Sequence, residues 1–238
     1  METAALRTLW TECFGNEDDW VDAFLDTAFR SEQTAGLTRQ GRLAAALSWM
    51  EVSCDGRKLA YLYAIATAPE FRRHGLCREL MENTHRDLTR LGYDGCILVP
   101  ADNDLRQMYR KLGYGDFGGI REFSARAAEP VPIRRVSPEE YASLRREYLP
   151  KGGVVQENGA ADYLATGAEL YAGRDFLLAM SGGFGAELLG ETNAAPGILG
   201  ALGLDKGTFR TPGDEPFAMF YPLTQEIWTP GYFGLAFE

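Results

Sequence analysis

Histidine, cysteine and long apolar runs are all scarce in this chain. It has two histidines and four cysteines in 238 residues. The cysteines (Cys13, Cys54, Cys77 and Cys96) show no C-x-x-C spacing, so we predict no metal site and expect reduced core thiols. No apolar run approaches the roughly 20 residues of a membrane span, and the N-terminus lacks the basic and apolar segments of a signal peptide. We therefore expect a soluble, cytoplasmic protein that does not attach to a membrane.

Positive charge is also in short supply. The chain has 24 Lys and Arg against 34 Asp and Glu, which gives a net charge of −10. Non-specific nucleic-acid binding needs a basic surface, so nucleic acid is not an expected partner. The acidic balance suits a cationic substrate such as an amine, and it equally suits solubility alone. The composition is otherwise globular, and the length allows one large domain or two small ones.

The most informative stretch of the chain covers residues 59–91. An apolar run at 59–67 predicts a strand, and apolar residues at helical spacing begin near Leu76. The turn between them is basic and contains Gly75. A helix start has unpaired backbone N–H groups and a partial positive charge, and glycine lets an anion approach the backbone closely. The stretch is therefore predicted to bind a phosphate group.

Apolar periodicity divides the first half of the chain into helices and strands. Two helices precede residue 31, and the Asp55-Gly56 turn signal indicates a hairpin of two strands at 43–54 and 59–67. A helix to residue 91 and a strand at 96–99, parallel to the strand before that helix, should follow. The last elements predicted in this half are a helix at 103–112 and a strand at 117–123.

The second half repeats this design more weakly after a linker at 125–130. A capping box that begins at Ser137 and has Pro138 at the first helical position predicts the start of a helix. The other predicted elements are strands at 131–136, 176–180, 186–189, 207–210, 217–221 and 232–237, and helices at 160–172 and 196–202. We predict two α/β units, residues 1–128 and a smaller unit at 129–238.

The basic turn resembles a signature of the GNAT superfamily of acetyl-CoA-dependent N-acetyltransferases. The signature is written Q/R-x-x-G-x-G/A, and Arg72 and Gly75 fill its first and fourth positions. Cys77 stands where glycine or alanine is usual. A later segment resembles a second motif of the family, with Asn103, then Tyr109 six positions on, then the run KLGY at 111–114. The resemblance covers roughly residues 1–124.

The resemblance implies a fold as well as an activity. The first unit should be a mixed, mostly antiparallel sheet flanked by helices, without the family's usual first strand because the chain begins in a helix. The second half lacks both motifs, yet its layout resembles the degenerate second unit of tandem members of the superfamily. We expect this half to cover the sheet edge of the first unit and to wall the acceptor cleft.

The resemblance also implies that acetyl-CoA is the cosubstrate and that no metal takes part. Backbone N–H groups of residues 73–78 would cradle its pyrophosphate, and a bulge in the preceding strand would admit the pantetheine arm. The implied coenzyme-binding residues are Ile65, Ala66, Thr67, Arg72, Arg73, His74, Gly75, Leu76, Cys77, Arg78, Asn103 and Tyr109. Tyr109 would also act as the general acid that protonates the leaving thiolate.

The general base is less well defined. Some members of the family use a carboxylate on the strand that holds the pantetheine arm, but the strand here contains none. Glu51 on the neighbouring strand is the candidate catalytic base, and a water ordered by Tyr61 or Tyr63 is the alternative. His74 and His85 are expected at the surface rather than in catalysis.

Several of the implied coenzyme-binding residues also have a purely structural interpretation. The arginines of the turn could be solvated, Tyr109 could be a packing aromatic, and Cys77 fits a small core residue better than a nucleophile. We predict an N-acetyltransferase that acts on a primary amine of a small molecule or peptide through a direct ternary complex. The alternative is a non-catalytic acyl-CoA-binding or regulatory protein, and a homodimer formed through the second half is compatible with either.

Overall fold

The structure is a computed structural model that describes residues 2–15 and 18–236. Within those residues the chain forms seven helices and eleven strands. The helices are α1 (Thr3–Phe14), α2 (Asp18–Thr27), α3 (Leu76–Arg90), α4 (Asn103–Arg110), α5 (Pro138–Tyr148), α6 (Gly159–Gly167) and α7 (Ala195–Leu202). The strands are β1 (Thr34–Arg39), β2 (Arg42–Cys54), β3 (Arg57–Thr67), β4 (Gly95–Leu98), β5 (Gly115–Arg126), β6 (Arg134–Arg135), β7 (Glu169–Ala172), β8 (Phe176–Ser181), β9 (Phe184–Gly190), β10 (Lys206–Pro212) and β11 (Glu215–Pro222).

All eleven strands join in one sheet with the order β1-β2-β3-β4-β11-β5-β10-β9-β8-β7-β6. Among the described strands only the β3–β4 and β9–β10 pairs are parallel. The helix α3 connects β3 to β4, which is the crossover that a parallel pair requires. The predicted mixed, mostly antiparallel sheet flanked by helices is therefore confirmed.

Two tight turns set the register of the first three strands. Asp55 and Gly56 have φ values of 49° and 78°, and the hairpin turn predicted there needs positive φ at both positions. Gln40 and Gly41 repeat this geometry between β1 and β2, with φ values of 50° and 77°. Sequence analysis missed β1, because glutamine before glycine is a weaker turn signal than asparagine or aspartate.

Some predictions for the second half were wrong. The segment 160–172 is not one helix, since it contains α6 and then the strand β7, which pairs antiparallel with β8. Residues 232–236 form no strand in the described part of the chain, and Phe237, the predicted end of that strand, lies outside it. The helix predicted after Ser137 is confirmed as α5, and the Ser137 hydroxyl caps it.

Strand β11 joins the two halves of the chain. It lies between β4 and β5 and pairs antiparallel with both, while β10 pairs with the remainder of β5. The largest core cluster also combines side chains of both halves, including Trp10, Phe24, Tyr163 and Phe233. The domain boundary at residue 128 stays a prediction, and the strands on its two sides share one sheet.

A buried ion pair fastens the C-terminal segment to this core. Arg145 on α5 donates to both oxygens of Glu187 on β9, at 2.6 and 2.9 Å, and the two side chains are 2% and 0% exposed. The Tyr141 and Tyr232 hydroxyls donate to the same carboxylate at 3.3 and 3.0 Å. Arg145 also donates to the Val154 carbonyl at 2.7 Å. Burying two charges is favourable only when their hydrogen bonds are satisfied in this way.

Candidate active site

Strand β3 separates from its parallel neighbour β4 partway along its length. The two strands pair over three residues, ending at Tyr61. Between Tyr63 and Ala66, β3 has one residue more than β2 opposite it, which is a bulge. Ala64 in this bulge has a φ of 50°, and its carbonyl accepts a hydrogen bond of 2.9 Å from Nε1 of the buried Trp10. The bulge expected from the resemblance is present, and it lies where the sheet opens.

The chain leaves β3 through a single 3-10 turn at Pro69–Phe71 and enters α3 at Gly75. Gly75 has a φ of 81°, a left-handed value that favours glycine. It has no side chain to cap α3, so the first amides of the helix are left to water or a ligand. The Nε of Arg72 donates to the Thr67 carbonyl at 3.0 Å and so ties the turn to the end of β3. This is the geometry of an anion site.

The turn, the bulged strand and α4 enclose a cleft of about 570 Å³, which we name the basic cleft. Ten of the predicted coenzyme-binding residues line it: Ile65, Ala66, Thr67, Arg72, Arg73, Gly75, Leu76, Cys77, Arg78 and Tyr109. The other lining residues are Cys13, Phe14, Phe71, Leu105, Met108, Lys111 and Leu112. The two sequence motifs therefore come together around a single cavity.

The charges that line the basic cleft are all positive. They belong to Arg72, Arg73, Arg78 and Lys111, and no described carboxylate lines the cleft. Glu79 in the first turn of α3 is engaged by Arg39, which donates to both of its oxygens at 2.7 and 2.6 Å. A positive cleft on a chain with a net charge of −10 attracts an anionic group such as a pyrophosphate.

A second cleft of about 430 Å³, which we name the aromatic cleft, adjoins the first. The two clefts share Phe14, Ile65, Leu105 and Tyr109. The remaining lining residues of the aromatic cleft are Trp20, Tyr61, Leu62, Tyr63, Ala64, Leu98, Val99, Pro100 and Ala101. Because four residues line both clefts, a molecule bound in one would lie next to a molecule bound in the other.

Tyr109 stands at the junction of the two clefts. Its side chain is 6% exposed and packs edge-on against Tyr114, with ring centroids 5.8 Å apart. Burial raises the pKa of the Tyr109 hydroxyl, and the neighbouring Cys77 and Asp102 raise it further. The hydroxyl therefore stays protonated at neutral pH, as a proton donor must.

The rings that line the aromatic cleft pack against other aromatic side chains. The Tyr63 and Tyr163 hydroxyls share a hydrogen bond of 2.7 Å, and Trp20 packs edge-on against Tyr63 with centroids 6.1 Å apart. Tyr61 packs in the same way against Phe233, at 4.9 Å. Every lining residue of this cleft comes from the first half of the chain. The expectation that the second half walls the acceptor cleft stays a prediction; in the described residues it supplies no lining residue to the aromatic cleft and buttresses that cleft through Tyr163 and Phe233.

Three of the predicted site residues line neither cleft. Glu51 on β2 lines a separate pocket. Its carboxylate is 3.0 Å from Nζ of Lys58 and accepts from the Tyr93 hydroxyl at 3.2 Å. His74 is exposed in the turn, and Asn103 is exposed at the first position of α4. The structure therefore does not bring Glu51, His74 or Asn103 together with Tyr109.

His85 is buried, which corrects the prediction that it lies at the surface. Its Nε2 hydrogen-bonds the Tyr114 hydroxyl at 2.8 Å, and its ring stacks on Tyr221 at 4.1 Å. Burial lowers the pKa of His85 to about 4, so the ring is neutral at pH 7. The sequence did indicate this burial, because the helical spacing of His85 from Met81 and Leu88 puts it on the apolar face of α3.

Sequence analysis did not assign several lining residues of the clefts to a site, and two of them stand out. Lys111 lies two positions after Tyr109, inside the later motif, and its charge was not assigned to the anion site. Phe14 ends α1 and is 49% exposed, although it packs edge-on against Trp20 with centroids 5.7 Å apart. An exposed aromatic residue directly before Gly15 was the available signal.

Both the sequence motifs and the fold match those of known proteins. The family model of the acetyltransferase (GNAT) domain matches residues 2–117. A GCN5-related N-acetyltransferase from Kribbella flavida is similar at TM-score 0.67 and 19% identity, over 94% of this chain and 71% of that one. A probable N-acyltransferase from Enterococcus faecalis (TM-score 0.66, 17% identity) and a GCN5-related N-acetyltransferase from Anabaena variabilis (0.66, 15%) each match over 93% of this chain and 70% of theirs. No curated protein matches this chain.

Residues 2–117 are therefore a GNAT acetyltransferase domain, and both sequence motifs lie within them. This confirms the resemblance of the two motifs, and the likeness of fold extends through both halves. Among the described residues, no group of three or more His, Cys, Asp or Glu is placed to hold a metal ion. None of the described helices is both long and apolar enough to cross a membrane.

Proposed function

We propose that the protein transfers an acetyl group from acetyl-CoA to a primary amine of a small molecule or peptide, by direct attack in a ternary complex. The observation that carries this proposal is the meeting of two unlike clefts at Tyr109, one basic and one aromatic. Direct transfer needs both substrates bound at once with their reacting atoms side by side. Adjoining clefts with a shared wall meet that need.

The basic cleft fits coenzyme A. The pyrophosphate would lie against the first amides of α3, beside the uncapped Gly75. Arg72, Arg73, Arg78 and Lys111 would surround the phosphate groups. Such charge-assisted contacts contribute about 1.5–3 kcal/mol each when desolvated, and less when the side chains are exposed as these are. The pantetheine arm would follow the backbone of the bulged strand at Ile65 and Ala66.

Three tyrosines of the clefts would assist the proton transfers of the reaction. Acetyl-CoA supplies a thioester, and coenzyme A leaves from it as a thiol. Tyr109 would give its proton to the leaving sulfur, since it lines both clefts and its hydroxyl is protonated at neutral pH. Tyr61 and Tyr63 line the amine side and would orient a water that accepts the proton of the amine. Glu51 takes no part in this scheme, because it lies in another pocket.

The test is release of thiol from acetyl-CoA over a panel of amines, with calorimetry of acetyl-CoA binding alongside. We expect Tyr109→Phe to lower kcat by about 100-fold and to change the Kd for acetyl-CoA little. Tyr148→Phe is the matched control, because it removes a hydroxyl that donates to the Arg174 carbonyl and lines neither cleft. An unchanged kcat for Tyr109→Phe would remove this residue from the mechanism.

One observation favours the alternative of a non-catalytic acyl-CoA-binding or regulatory protein. No described carboxylate or histidine lines the aromatic cleft, so the chain offers no evident base there. Binding of acetyl-CoA without turnover of any amine would favour this alternative.

A homodimer stays a prediction that a mass measurement of the native protein tests. The four cysteines are all free thiols, which fits the cytoplasmic location that we propose.

A further inference from the structure

Among the residues that the structure describes, the wall of the aromatic cleft is made of uncharged groups only. Its five aromatic rings belong to Phe14, Trp20, Tyr61, Tyr63 and Tyr109. The other described lining residues are aliphatic side chains and one proline, and none carries a charge at neutral pH. This differs sharply from the basic cleft next to it, where four cations converge.

The aromatic wall is held in place by its own packing. Tyr61 is 2% exposed, and the Tyr63 hydroxyl is held by Tyr163 at 2.7 Å. Trp20 touches three other rings, with centroid distances of 5.7 Å to Trp10, 5.7 Å to Phe14 and 6.1 Å to Tyr63. Side chains fixed in this way offer a ligand a preformed apolar surface and do not have to be ordered when it binds.

A wall of this kind selects against charge on the acceptor. A second ammonium or a carboxylate on the acceptor would lose its hydration and find no ionic partner among the described lining residues. An aromatic or branched apolar group instead gains from burial and from edge-on contact with the rings. The ammonium form of the acceptor also becomes more acidic in apolar surroundings, which favours the neutral amine that attacks the thioester.

We propose that the acceptor is a monoamine whose primary amino group is joined to an uncharged aromatic or bulky apolar group, and that it reacts after losing its proton to water. This inference rests on the acetyl transfer proposed above and names the substrate class of that same site. Polyamines and lysine-rich peptides carry several charges and are disfavoured by the same argument.

The proton balance of this reaction needs no carboxylate. The neutral amine attacks the thioester carbonyl, a C–N bond forms and the C–S bond breaks. The nitrogen releases its surplus proton to water, and the sulfur takes the proton of Tyr109, which is replaced from solvent. The rate should therefore follow the fraction of acceptor that is already neutral, so kcat/KM should rise with pH up to the pKa of the acceptor itself.

The experiment compares acceptors by thiol release at saturating acetyl-CoA. We expect kcat/KM for 2-phenylethylamine to exceed that for 1,4-diaminobutane and for spermidine by at least tenfold. Lengthening an alkylamine should raise kcat/KM by about fourfold for each buried methylene. With two arylalkylamines of different pKa, the rise of kcat/KM with pH should shift by the difference between those pKa values. A preference for the polyamines, or a pH profile that is the same for both arylalkylamines, would overturn the inference.

Ala101 allows a test by gain of specificity. It lines the aromatic cleft and is exposed, so Ala101→Asp should fold while placing a carboxylate in the wall. We expect this variant to raise kcat/KM for 1,4-diaminobutane relative to 2-phenylethylamine by about tenfold or more, with the Kd for acetyl-CoA unchanged. An unaltered ratio would contradict the placement of the acceptor in this cleft.

Failure of this inference can be told from failure of the proposed function. Fast turnover of a polyamine would leave acetyl transfer intact and refute only the acceptor class. Absence of acetyl-CoA binding in calorimetry would refute both.

Discussion

Replacing Gly75 with valine adds a branched side chain at the start of α3, where we propose that the phosphates of the coenzyme lie. Gly75 has a φ of 81°, and a left-handed backbone costs a non-glycine residue roughly 1–2 kcal/mol, and more for a β-branched residue. A Cβ added there would meet no protein atom within 4 Å. We therefore expect Gly75→Val to fold, with a loss of stability set by the backbone alone. Its methyl groups would occupy space that the phosphates need, so the affinity for acetyl-CoA should fall by well over tenfold.

Gly92 supplies the matched control for this experiment. It has a φ of 75°, a Cβ there also meets nothing within 4 Å, and it lines neither cleft. Gly92→Val should therefore lose a similar free energy of unfolding in urea and keep normal affinity in calorimetry. Normal affinity in a folded Gly75→Val protein would show that the phosphates bind elsewhere.

Three further predictions address charge and stability. Lys111→Gln should weaken acetyl-CoA binding by about fivefold at low salt, whereas Lys206→Gln, an exposed lysine outside the clefts, should not; equal effects would contradict the anion site. Glu187→Gln should lower the free energy of unfolding by about 3–5 kcal/mol because it leaves the buried Arg145 without its carboxylate partner; a loss below about 1 kcal/mol in urea would refute this. The pKa of His85 is lowered to about 4 in the folded state, so its contribution to stability is complete above pH 6.5 and is lost as the pH falls toward 4. His85→Gln should remove up to about 3 kcal/mol of that pH dependence in urea titrations, and an unchanged slope would contradict its burial as a neutral ring.

Ten of the residues that line the basic cleft could be predicted from the sequence because their determinants are local, and coenzyme binding by these residues stays a prediction. The basic turn, the glycine of positive φ and the helix start lie within a few consecutive residues, and the later motif adds Tyr109 from the next helix. The structure places most of these residues around one cleft. Asn103 and His74 were exceptions, since a motif gives the spacing of residues along the chain and not the direction of each side chain.

The acceptor side and the sheet order depend on contacts between distant parts of the chain. The aromatic cleft combines Phe14 at the end of α1, Tyr63 in the bulge and Tyr109 on α4, and no local pattern links these positions. Likewise, β11 lies between β4 and β5 although about 90 residues separate it from β5. Glu51 was chosen as a base because it is near in sequence, yet β2 places it in another pocket, with its carboxylate against Lys58.

The most direct test of the central claim measures both products of one reaction. The protein is mixed with acetyl-CoA and 2-phenylethylamine, and the free thiol and the N-acetylated amine are quantified from the same sample. Acetyl transfer predicts that the two products appear in equal amounts, and that Tyr109→Phe slows both together. Tight binding of acetyl-CoA with no N-acetylated product, from this amine or from any other in the panel, would contradict acetyl transfer and identify an acyl-CoA-binding protein.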